Sequence, residues 1–164
     1  MKKVLKKGKF VFTRKGSVVL ELADEIYSGL KPFSKKIMIV GSIRRGEKNP
    51  VDVDIVLIPK DRVKIMNYLG SLGKFEQGGE KRSTFKIKKV KVEIYYAEPK
   101  SWGAMLLTYT GPFQYNIGLR VLAKKKGMLL NQYGIFRDGK YLAGKSERDV
   151  YSVLEKKYKF PRNR

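Results

Sequence analysis

Asp52 and Asp54 stand one residue apart in the run 51-VDVDIVLI-58. Residues two apart on a strand share a face. The two carboxylates are therefore predicted to point the same way, with Val51, Val53 and Ile55 turned to the core. Adjacent carboxylates repel, and the repulsion costs stability unless a cation lies between them. A pair of divalent metal ions about 3.5–4 Å apart removes that cost, activates an attacking oxygen and neutralises a phosphoryl transition state. Upstream, the run 37-IMIVGSI-43 reads as a strand ending in a turn at Gly41-Ser42. Such a turn exposes backbone N–H groups to an anion. Ser42 adds a hydroxyl donor, and Arg44 and Arg45 add forked cationic donors suited to phosphate. A phosphate cradle beside metal-binding carboxylates is what metal-assisted handling of a nucleoside triphosphate requires. A third acid is predicted from 90-VKVEIYY-96. Val90, Val92, Ile94 and Tyr96 form one face of that strand, and Lys91, Glu93 and Tyr95 form the other. Glu93 is placed to act as base for an attacking hydroxyl and as a ligand of the second metal.

The composition narrows the partners. The chain has 37 Lys+Arg against 15 Asp+Glu, a formal charge of +22. Charge on that scale works against a compact fold unless something negative binds it. Nucleic acid is the leading candidate and an anionic membrane surface the second. Cysteine and histidine are both absent. That excludes disulfides, thiolate zinc sites, Ser-His-Asp triads and cysteine nucleophiles. Any metal must be held by oxygen, which favours magnesium, manganese or calcium. The basic start, 1-MKKVLKKGKF-10, has no long apolar segment behind it. No signal peptide and no membrane span are expected, and the protein is expected inside a cell or virion.

These residues need elements to carry them. A short strand is expected around Phe10–Phe12. In 17-SVVLELADEIYSGLKPF-33 the apolar residues Val19, Leu22, Ala23, Ile26 and Leu30 recur at helical spacing, which predicts a helix over 17–30 stopped by Pro32. Residues 51–58 read as a strand, 61–72 as an amphipathic helix, and 74–79, 83–89 and 90–98 as a strand meander. Beyond Pro99 the texture changes. Residues 101–111 and 112–127 read as helices ended by Gly111 and Gly127. Residues 128–144 read as short strands with an Asp-Gly turn at Asp138-Gly139. Ser146 and Asp149 form a candidate capping box for a last helix over 147–157. A boundary near 97–105 divides the chain into a mixed sheet-and-helix half, 1–100, and a smaller half, 101–164.

The order Gly-Ser-x-Arg-Arg-Gly, then Asp-x-Asp, then a strand acid resembles the polymerase-beta nucleotidyltransferase superfamily. The segment 102-WGAMLLTYTGPFQYNIGLRVLAKKKGMLLNQYGIF-136 narrows this. Its aromatic-Thr-Gly turn, Asn-x-x-x-Arg helix and Leu-Asn-x-Tyr-Gly strand resemble the nucleotide-selecting subdomain of family X DNA polymerases, in a minimal two-subdomain form. The likeness covers about residues 17–164. It implies an α+β fold: a nucleotidyltransferase palm, a mixed sheet with flanking helices, plus a small C-terminal α/β nucleotide-selecting subdomain. It implies that Asp52, Asp54 and Glu93 hold two Mg2+ ions, or Mn2+, and that Gly41, Ser42 and Arg45 hold the triphosphate. Tyr109 would pack under the sugar and reject a 2′-hydroxyl, with Gly111 letting the backbone approach. Asn116 would touch the base edge of the incoming nucleotide, Arg120 the template strand and Lys91 the primer phosphate. Lys124, Lys125 and Lys126 form a general phosphate-binding face.

The implied activity is template-directed addition of deoxynucleotides to a primer 3′-hydroxyl, filling short gaps in DNA during base excision repair. The implied partners are gapped or primer–template DNA and dNTPs, bound by a monomer. Two alternatives stand beside it. One is template-independent nucleotide transfer to nucleic-acid ends or another acceptor. The other is a basic nucleic-acid-binding module without catalysis. The chain departs from the family pattern in three places. Glu93 stands where aspartate is usual, Thr108 where an aromatic often precedes the sugar-packing residue, and Val51 in place of a frequent glycine. No lyase module is expected, and so no 5′-sugar-phosphate removal.

Overall fold

The structure, a computed structural model, describes residues 16–164 in full and, before them, the backbone of two antiparallel strands, β1 (Lys2–Lys6) and β2 (Lys9–Thr13). The strand expected around Phe10–Phe12 falls within β2. The helix expected over 17–30 is α1 (Gly16–Leu30), with Val19, Leu22, Ala23, Ile26 and Leu30 buried. A single 3-10 turn containing Pro32 ends it. Then follow β3 (Ser34–Ile39), a four-residue helical turn α2 (Gly41–Arg44), β4 (Asp52–Pro59), α3 (Arg62–Leu72), β5 (Lys74–Gly78), β6 (Arg82–Ile87) and β7 (Val90–Tyr96).

Strands β3 to β7 form a five-stranded mixed sheet in the order β3-β4-β7-β6-β5. Only the central pair, β4 and β7, is parallel. Alternation decides what each face of the pair does. Val53, Ile55 and Leu57 of β4 and Val90, Val92 and Ile94 of β7 pack under α1 and α3 with Phe85 and Ile65. On the opposite face, Val56, Ile58 and Tyr95 pack against Met105 and Leu106. Strand β4 is thus apolar on both faces from Ile55 to Ile58, as a doubly covered strand must be. The second cover stops short of its first residues. Asp52 and Asp54 occupy that uncovered end. Val51 precedes the strand and is 73% exposed, so it does not face the core as the alternation predicted.

The rest of the chain builds α4 (Trp102–Thr110), α5 (Phe113–Lys125), the three-stranded antiparallel sheet β8 (Leu129–Asn131), β9 (Gly134–Arg137) and β10 (Lys140–Ala143), and α6 (Glu147–Val153). These elements enclose a core of their own, with Ala104, Leu107, Leu119, Ile135, Val150 and Tyr151. Helix α4 is shared: Ala104 and Leu107 enter this core, and Met105 and Leu106 enter the one against the large sheet. The turn between β9 and β10 has Asp138 and Gly139 both at positive φ, the primed hairpin geometry that Asp-Gly favours. Ser146 and Asp149 form the reciprocal capping box, though the helix they open ends at Val153 rather than 157. Among the described residues no helix is long and apolar enough to cross a membrane. The fold is α+β.

Candidate active site

Parallel pairing of β4 with β7 sets Asp54 directly beside Glu93 and Asp52 beside Lys91. The three acids therefore share one sheet face at the end that α4 leaves open. Asp54 feels the arrangement most. Burial, then the charges of Asp52 and Glu93, push its pKa from 3.8 to about 7, against smaller pulls from Lys91 and a hydrogen bond from Tyr95. Glu93 is buried and compensated: Lys91 Nζ lies 2.6 Å from one carboxylate oxygen and Arg82 Nη1 3.5 Å from the other. Among the described residues no three acids stand close enough together to hold a metal ion as they are. Asp52 and Asp54 remain, two neighbouring carboxylates that enter no ion pair among the described residues. Their all-oxygen chemistry and Asp54's desolvation suit a hard divalent ion. Glu93 joins them only by releasing Lys91 and Arg82.

The phosphate side is built by α2. Gly41 adopts φ +63°, and a Cβ there would overlap the Asp54 carboxylate. Glycine thus brings the turn against the acid. The first N–H groups of a helical turn have no partner within it, and the Ser42 hydroxyl is buried with no hydrogen-bond partner. Gly41 and Ser42 line a cleft of about 400 Å³ together with Asp52, Asp54, Arg45, Tyr109, Asn116 and Arg120. Arg45 donates to the Thr110 carbonyl and to Glu47. Gly111, at φ +67°, lies against the same guanidinium, 3.2 Å from where a Cβ would sit. Across the cleft, Asn116 donates to the Thr108 carbonyl at 2.7 Å, while its own amide oxygen is buried without a partner. Ser42 and Asn116, both lining the cleft, thus each carry a polar atom with no partner among the described residues.

Arg44 does not serve the cleft as the sequence suggested. Its guanidinium forms a two-pronged bond to Glu147, at 3.0 and 2.7 Å, and donates to the Thr110 hydroxyl at 2.6 Å. Arg164 binds the same carboxylate at 2.8 Å. Burial alone would raise the Glu147 pKa, but Arg44 and Arg164 hold it below the usual carboxylate range. This buried cluster ties α2 to α6. In the sequence the only signal at Glu147 is its place in the first turn of a capped helix, where a negative charge is favoured.

Tyr95 was given no role, although alternation had placed it on the Glu93 face. Its ring stacks on Tyr109, with centroids 3.6 Å apart and planes at 18°, and its hydroxyl pulls the Asp54 pKa down against the larger pushes from burial and charge. Of the expected phosphate-binding lysines, Lys124 and Lys125 are exposed, while Lys126 is paired with Glu155. Lys91 is exposed and reaches Glu93, and Arg120 lines the cleft from α5.

The Asp54 shift has a stability consequence with a definite sign. A carboxyl whose folded pKa is raised contributes stability that is fully present below its unfolded value and lost as pH rises through the folded value. In metal-free buffer the unfolding free energy is expected to fall from about pH 4 to pH 7. Asp54→Asn should flatten that window when denaturant unfolding is followed across pH; an unchanged slope would mean that Asp54 is not strained.

Residues 105–164 match the family described as DNA polymerase beta thumb. Repair DNA polymerase X of African swine fever virus (isolate Pig/Kenya/KEN-50/1950) is 31% identical over 153 residues, 84% of this chain and 87% of the viral protein. Its counterpart from isolate Warthog/Namibia/Wart80/1980 is 30% identical over 152 residues, with the same coverage. DNA polymerase IV of Saccharomyces cerevisiae is 40% identical over 62 residues, 38% of this chain and 11% of the yeast protein. A cleft flanked by paired aspartates and an anion-ready turn, on a chain matched along most of its length by repair polymerases, makes this protein a member of family X of the DNA polymerases.

Proposed function

We propose that the chain extends a primer 3′-hydroxyl with deoxynucleotides under direction of a template, on short gaps in DNA under repair, with Asp52 and Asp54 holding a pair of Mg2+ ions. The observation that carries this is the shared cleft: Asp52, Asp54, Ser42, Arg45 and Asn116 line one space. Manganese fits the same donors. When bound, such ions neutralise charge that develops as the phosphoryl group moves.

The chain's own groups supply the rest. Gly41, Ser42 and Arg45 hold the triphosphate against α2. Tyr109, backed by Tyr95, packs under the sugar, with Gly111 giving the backbone room. The free oxygen of Asn116 accepts from the base or sugar edge. Arg120 contacts the template strand, Lys91 the primer phosphate, and Lys124 and Lys125 lie on an outer phosphate-binding face. The primer oxygen attacks the α-phosphorus in line as the bond to the pyrophosphate oxygen breaks. Its proton passes toward Glu93, which is free to accept it once Lys91 and Arg82 turn to DNA phosphate, and pyrophosphate leaves. Residues 1–100 serve as the catalytic palm and 101–164 as the subdomain that tests the nascent base pair.

Extension of a one-nucleotide gapped duplex tests this reading with each dNTP in turn. The templated nucleotide alone should be added, and Asp54→Asn should cut the rate by at least about a hundredfold while DNA stays bound. Lost binding with retained catalysis would overturn the assignment, and addition regardless of the templating base would move it to terminal transfer. Tyr109→Ala should improve ribonucleotide use relative to deoxynucleotide by about 10–200-fold. Unchanged sugar discrimination would remove Tyr109 from that role.

A further inference from the structure

The face of the large sheet that bears the acids also bears an ordered row of cations. In hydrogen-bonded register, Asp52 lies beside Lys91, Lys91 beside Lys86, and Lys86 beside Lys74. Residues paired in register point to the same face. The next residues along β5 and β6, Phe75 and Phe85, pack edge to face on the opposite side, where Phe85 enters the core. All three lysines are exposed. Neighbouring strands lie about 4.8 Å apart, so Lys91 to Lys74 spans about 10 Å.

This row is costly as it stands, because like charges directly opposite each other on a sheet are destabilising. Among the described residues the ion pairs include Lys91 but neither Lys86 nor Lys74. The adjacent row runs Asp54, Glu93, Thr84 and Gln77. Its one acid beyond β4 is already shared between Lys91 and Arg82, and its Thr84 hydroxyl is buried without a partner. A regular line of cations that starts at a catalytic carboxylate and crosses the sheet fits a regular polyanion.

We propose that Lys91, Lys86 and Lys74 form the track of the primer strand upstream of its 3′ end. This rests on the polymerase reading, which places that end at the acids. The strand that stops there leaves along the row, and about 10 Å of sheet corresponds to about three base steps of 3.4 Å. The contacts are to phosphate, so the track carries no sequence preference.

The test is Lys74→Gln with Lys86→Gln, assayed for binding to primer–template DNA across a salt series without nucleotide. Two lost phosphate contacts should lower the slope of log affinity against log salt by about 1.8. Lys74→Arg with Lys86→Arg should keep the original slope. Neutral methylphosphonates at the second and third primer phosphates should weaken the unaltered protein but not the double glutamine variant. Thermal unfolding without DNA should show the variant no less stable. An unchanged slope overturns the proposal. So does an equal drop from the control Lys156→Gln with Lys157→Gln, or a methylphosphonate effect found only on the template strand. Binding is read apart from catalysis, so failure of the polymerase reading would appear separately, as no templated extension by the unaltered protein.

Discussion

Like-charge repulsion between Asp52 and Asp54, with Glu93 alongside, is the constraint around which the molecule is arranged. Parallel pairing of β4 and β7 brings the acids onto one face, and burial with the charges of Asp52 and Glu93 pushes the Asp54 pKa up to about 7. A fold of this size is only marginally stable, so an uncompensated cluster is a real cost. The protein offsets part of it by surrounding Glu93 with Lys91 and Arg82. It leaves the aspartate pair uncovered, where α4 stops and the cleft begins. The remaining repulsion favours positive charge arriving at that open end of the sheet.

The two arginines that follow Gly41-Ser42 show how the surroundings are divided between support and substrate. Arg44 and Arg45 are adjacent on a helical turn and so diverge. Arg44 is consumed by Glu147 and Thr110, which fixes α2 to the second half of the chain. Arg45 stays at the cleft, steadied by the Thr110 carbonyl. On the other wall, Tyr95 touches both Asp54 and Tyr109. The residue proposed to sense the sugar and a residue proposed to hold metal thus share one neighbour, so misplacing one disturbs the other.

Much of this was legible in the sequence because it depends on local periodicity. The apolar stripe of α1, the alternation of β7, the Asp-Gly turn and the Ser146–Asp149 box are short-range patterns, and each appears where its spacing put it. Alternation also placed Asp52, Asp54 and Glu93 on compatible faces. Partnership was not legible. Nothing near Arg44 says that its carboxylate lies 103 residues away, and nothing near Glu93 says that Lys91 and Arg82 will claim it. The orientation of Val51 failed for a related reason: alternation holds only within a strand, and β4 starts one residue later. The lysine row needs the register of four strands, which no single segment contains.

Under the proposed function the aspartate pair binds divalent cations. Calorimetric titration of Mn2+ into the chain, with primed DNA and a non-reacting dNTP analogue present, measures this directly. Saturation at two ions per chain is expected, with binding lost when Asp52 and Asp54 are both replaced by asparagine. Equal Mn2+ uptake by that double variant would contradict it.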